Sequence, residues 1–63
     1  MSQRQSQLLW MKDLIDHMSR CHEQLEWTRE ADSTRFLTDA LIRDLSLCQR
    51  LCEELQVAPG ARA

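Results

Sequence analysis

Glycine and proline are nearly absent, and where they occur is informative. The single proline, Pro59, and the single glycine, Gly60, both lie in the tail. From Ser6 to Val57 no residue breaks a helix outright, and Leu, Gln, Glu, Arg, Met and Lys dominate. Strand-like alternation is missing over any useful length, which excludes a sheet. A long apolar run is missing as well. The longest, Leu8-Leu9-Trp10-Met11, is far too short to cross a bilayer. The polar start Met1-Ser2-Gln3-Arg4-Gln5 lacks the apolar stretch of a secretory signal. These absences make a soluble cytoplasmic protein with no membrane contact the expectation.

No excess of one charge exists. The net charge is -2, and residues 1–31 and 32–63 each carry four basic and five acidic residues. Without a basic stripe to follow a phosphate backbone, nucleic-acid binding is not expected. Catalytic templates are missing too, since there is no Gly-rich phosphate loop, no nucleophile elbow and no H-E-x-x-H motif. The chain reads as a non-enzyme with no cofactor. An even set of cysteines is also lacking. Three thiols cannot form a complete disulfide framework, and they suit a reducing compartment.

What remains is helix. The first half reads as an amphipathic helix over about 5–30, with a stripe of Met11, Leu14, Ile15, Met18, Cys21, His22, Leu25 and Thr28. The second reads as a helix over about 34–57, with a stripe of Leu37, Leu41, Leu45, Cys48, Leu51, Cys52 and Leu55. Asp32 and Ser33 are both good N-caps, which places a turn over about 31–33. Pro59 stops the second helix and leaves a frayed tail over 58–63. The fold class is therefore all-α, a two-helix antiparallel hairpin forming one domain. The competing arrangement is one long helix in a two-stranded coiled coil. If the turn centres near residue 32, Leu41, Leu45 and Cys48 form the central layer opposite Ile15, Met18 and His22. Outward charges at four-residue spacing (Lys12–Asp16, Asp16–Arg20, Asp39–Arg43, Arg50–Glu54) make a solvated surface.

Two helices cover one stripe each, and this chain has more apolar surface than that. Leu8 to Met11 point around most of one helix, and Ile42 and Leu47 flank the stripe of the other. A wide stripe fits a helix with two neighbours, so the hairpin is expected to dimerise into a four-helix bundle. Trp10, Trp27, Leu47 and Ile42 are the candidate interface residues, toward a second copy or another protein. The resulting functional expectation is a helical interaction protein that self-associates and binds a partner. The alternative is a zinc- or copper-binding bundle using Cys48 and Cys52 across a dimer, since C-x-x-x-C on a helix sets two thiols on one face. His17 and Cys21 are weaker metal candidates, because they lie several residues along the bundle from that pair. The plainer reading of each cysteine is a small buried hydrophobe. His17 and His22 are most simply boundary residues bonded to Asp13 or Glu26 on their own helix.

Overall fold

A computed structural model of the chain describes residues 2–56. It is an all-helical hairpin. α1 spans Gln3–Trp27, α2 spans Ala31–Gln56, and the two pack against each other along their length. No helix among the described residues is long and apolar enough to cross a membrane. The expected tail over 58–63 lies outside the described residues.

The start of α1 is built by a capping box. The Ser2 hydroxyl accepts from the Gln5 backbone N–H at 3.1 Å, and the Gln5 side chain accepts from the Ser2 N–H at 3.3 Å. The other end has no glycine to adopt a left-handed cap. Thr28 instead leaves the helix in an extended conformation (φ -80°, ψ 133°), with its N–H still bonded to the Gln24 carbonyl at 2.9 Å. A β-branched residue suits that extended geometry.

The joint is Thr28-Arg29-Glu30, three residues earlier than the sequence reading placed it. α1 therefore ends at Trp27 and not near 30, and α2 begins at Ala31 and not near 34. Asp32 and Ser33 do not cap α2 from outside but sit within its first turn. The first helical bond runs from the Thr34 N–H to the Glu30 carbonyl at 3.0 Å. The Ser33 hydroxyl donates to the Glu30 carboxylate at 3.3 Å, and Asp32 supplies negative charge to the N-terminal end of the helix dipole. Cap-forming residue types are also favourable just inside a helix, which is why the boundary was displaced.

The buried positions follow a heptad. On α1 the inward row is Gln7, Met11, Leu14, Met18, Cys21, Leu25 and Thr28, each buried or half-buried. On α2 it is Leu37, Leu41, Asp44, Cys48, Leu51 and Leu55, again all buried or half-buried. Alternating steps of three and four are the signature of helices that wrap around one another. Four residues assigned to the stripes fall outside these rows: Ile15, His22, Leu45 and Cys52 are exposed. The central layer expected from Leu41, Leu45 and Cys48 is thus corrected. Asp44, not Leu45, occupies the middle of the α2 seam, 3 % exposed. A stripe drawn by apolar character alone rotated toward Leu45 because it passed over a carboxylate.

The same rows explain why the chain bends back. Leu37, where the α2 seam opens, lies nine residues after Thr28, where the α1 seam ends. Nine residues are about two and a half turns at 3.6 residues per turn. In one continuous helix the two stripes would face opposite sides, and no single partner helix would cover both. Folding at residues 28–30 brings them face to face.

Leu51, at 2 % the most enclosed side chain, is expected to be the anchor of the seam. Leu51→Ala should cost about 2–5 kcal/mol, and Leu45→Ala should leave the packing between α1 and α2 nearly unchanged. Chemical denaturation monitored by circular dichroism, at concentrations where the chain is monomeric, checks both.

Candidate functional site

The polar interruption of the seam is the most developed side-chain cluster in the molecule. Asp44 is enclosed by the two helices, and one carboxylate oxygen, Oδ2, meets Nδ1 of His17 from α1. The His17 side chain is 46 % exposed, so the pair has a dry end and a wet end. On the other edge of the imidazole, Nε2 lies 4.0 Å from the Cys21 Sγ, one turn further along α1. The second Asp44 oxygen, Oδ1, is 3.9 Å from Arg43 Nε, whose side chain is mostly exposed. No buried side-chain nitrogen or oxygen among the described residues is left without a partner. His17 is therefore what makes burial of the carboxylate tolerable, since an unpaired buried charge costs several kcal/mol.

The sequence reading gave His17 a partner on its own helix, Asp13. The actual partner is on the other helix. A signal was present: Leu37, Asp44 and Leu51 recur every seven residues, which marks Asp44 as a seam position despite its charge. The cross-helix bond from Gln7 Nε2 to Glu54 Oε1 at 2.8 Å fixes the same register, because it lies ten residues before His17 on α1 and ten after Asp44 on α2. Of the four expected surface pairs, Lys12–Asp16 forms at 3.1 Å. Arg43 approaches Asp44, and Glu54 accepts from Gln7.

The metal candidates are not brought together. Asp44 and Cys21 approach opposite edges of the His17 ring, so the three have no common point for an ion. At the observed register Cys21 and Cys48 are about eight residues apart along the hairpin, or roughly 12 Å at 1.5 Å per residue. Cys48 is half-buried and Cys52 exposed. Burial pushes the Cys48 thiol above its ordinary value, and neighbouring negative charge at Cys52 and Asp44 adds to the effect. Among the described residues no group of three or more His, Cys, Asp or Glu side chains is gathered as metal ligands.

The candidate interface residues divide between two sides of the hairpin. In a right-handed helix the residue after each seam position is rotated by about 100°. Because α1 and α2 run in opposite directions, these rows emerge on the same side of the molecule. On α1 the row contains Leu8, Ile15 and His22; on α2 it contains Thr38, Ile42, Leu45 and Cys52. Leu8, Ile15, Ile42 and Leu45 are 42 %, 49 %, 61 % and 57 % exposed. The rows preceding the seam share the opposite side, as the shallow hollow lined by Gln24 and Phe36 confirms. Trp10, His17, Leu47 and Trp27 are on that second side. Leu47 is half-buried and Trp10 half-exposed. Trp27 and Phe36, near the joint, remain 82 % and 72 % exposed, so neither covers the other.

The two sides differ in charge. The second side carries Asp13, Arg20, Arg43, Arg50 and Glu54. The first has no Asp, Glu, Lys or Arg between Lys12 and Glu26 on α1, nor between Thr38 and Gln56 on α2, along its rows. Ile42 alone of the four candidates belongs to this side. Ile15 and Leu45 were missed there because the sequence reading placed both in the core stripes, and Leu8 was counted as surplus apolar surface without being named an interface residue.

No protein-family model, curated protein or solved structure matches this chain.

The His17–Asp44 pair gives a direct test of this geometry. Replacing His17 alone with Leu should destabilise the hairpin by about 1–3 kcal/mol, because it strands a buried carboxylate. The double change His17→Leu with Asp44→Leu should recover that loss or exceed the original stability. A double-mutant cycle of denaturation midpoints measures the coupling. Thiol accessibility is a second check. At mildly alkaline pH a charged alkylating reagent should modify Cys52 first, Cys48 more slowly and buried Cys21 last, as read by peptide mass spectrometry.

Proposed function

We propose that this chain is a non-enzymatic helical interaction protein whose first activity is to associate with a second copy of itself, two hairpins forming a four-helix bundle. The observation that carries the reading is the sparsely charged side that presents Leu8, Ile15, Ile42 and Leu45, with Lys12 its one charged residue short of the joint. Each exposes a large hydrophobic side chain; Ile15 lies level with Leu45, Ile42 is one turn from Leu45, and Leu8 lies on the same side beyond Lys12. Single exposed leucines are ordinary, but a contiguous patch drawn from two elements marks an interaction surface.

The thinness of the hairpin supports the same reading. It measures only 12 Å in its smallest dimension, a single layer of helices. Domains bury their apolar faces between two layers, and this chain supplies one. Free Cys21, Cys48 and Cys52 suit a reducing compartment, which supports a cytoplasmic setting.

Sedimentation equilibrium at micromolar concentration tests the proposal. The expected mass is that of two chains, and Leu45→Glu or Ile42→Glu should shift it toward one chain while the helical spectrum persists. A wild-type chain that stays monomeric to high micromolar concentration, with a cooperative melt, overturns it.

A further inference from the structure

We propose a specific arrangement for that association, which rests on the self-association reading above: the two hairpins stack on the sides that carry Leu8, Ile15, Ile42 and Leu45, about a two-fold axis parallel to the helices. α1 of one copy then lies over α2 of the other, and both joints lie at the same end.

The area is adequate. At 1.5 Å per residue, the 26 residues of α2 are about 39 Å long, and two adjacent helices are about 20 Å wide. One side of the hairpin thus offers roughly 800 Å², close to what each partner contributes to a standard specific interface. A patch limited to one helix would fall well short.

The order of side chains along this side selects the axis. The contacts Gln7–Glu54 and His17–Asp44 fix which α2 residue lies level with which α1 residue. In that register the side is built in layers: Leu8 with Cys52, Lys12 with Gln49, Ile15 with Leu45, Ser19 with Ile42, His22 with Thr38, and Glu26 with Arg35. A two-fold axis parallel to the helices places every layer over its own copy. Leu8 then meets Cys52 of the second copy, Ile15 meets Leu45, and Lys12 meets Gln49. At the joint end Glu26 of each chain meets Arg35 of the other, so the charged layer is complementary to itself.

The competing two-fold axis runs across the helices and places the joints at opposite ends. Centred on the Ile15–Leu45 layer, it lays Leu8 over His22, Cys52 over Thr38 and Ile42 over Gln49. It buries Leu8 and Ile42 against polar groups and takes Glu26 away from Arg35, laying it level with Arg4 instead; in the first arrangement only Ile42, over Ser19, is so placed. Polar groups buried without partners are costly, so the first arrangement is favoured.

Pulsed electron–electron distance measurement between spin labels tests this. The label is carried at Arg29→Cys, in the joint, in a chain with Cys48→Ala and Cys52→Ala to direct labelling. Gln3→Cys provides an independent position at the open end. Neither label site lies on the proposed interface, but Cys52 does, so the unlabelled Cys48→Ala, Cys52→Ala chain must first sediment as the wild type does. Sedimentation of each labelled chain is compared with wild type. The expected result is a short distance at both positions, below about 25 Å, since like ends are adjacent. Distances near the helix length, about 39 Å at both positions, would overturn the arrangement while leaving self-association intact. A wild-type chain that sediments as a monomer would overturn the self-association reading, and this arrangement with it.

Discussion

Two helices of this length share a single line of contact, and everything else in the molecule follows from how that line is filled. The seam is drawn from Leu14, Cys21, Leu37 and Leu51, with half-buried Met11, Met18, Leu25, Leu41, Cys48 and Leu55 beside them. Such a seam encloses side chains from one direction only. The remaining apolar groups must face solvent or a neighbour, because a helix in contact with one partner has no second place to put them. The narrow core and the broad exposed side are therefore one fact seen from two directions.

Asp44 occupies a place in that seam where a leucine would contribute more stability. A polar group at such a position acts through selectivity. If α2 slid along α1 by one turn, leucines would still meet methionines, but the carboxylate would lose His17 and be buried alone. That error strands a buried carboxylate, a cost of about 1–3 kcal/mol that the correct register does not bear. The pair thereby fixes which residues are level with one another on both exterior sides. The layers of the sparsely charged side, with Ile15 beside Leu45 and Leu8 beside Cys52, inherit their order from a contact on the inside.

The helical class and the hairpin were legible from composition and spacing, because nothing between Ser6 and Val57 forces a helix to end and cap-forming residues cluster at one point between two apolar stripes. The face of α2 was less legible. Apolar periodicity prefers Leu45 to Asp44, and only the seven-residue recurrence of Leu37, Asp44 and Leu51 reveals the true row. The joint was misplaced because Asp32 and Ser33 are as welcome in the first turn of a helix as before it. The His17 partner was hidden for a different reason. A bond between residues 27 apart depends on the register of two helices, which no local spacing encodes.

The joint has a kinetic meaning. Three residues close a loop at little entropic cost, so contacts near Leu25 and Leu37 are local and form early. Each further layer is held together by the one before it, and the hairpin closes toward Gln7 and Glu54 as a zipper does. Midway, the zipper reaches Asp44. A chain that closes in the wrong register reaches that point with the carboxylate unpaired, at a cost of about 1–3 kcal/mol, and is disfavoured before its open half is committed. The same sequence run backward makes the end bearing Gln7 and Glu54 the first to open, and the half nearest Thr28 the last.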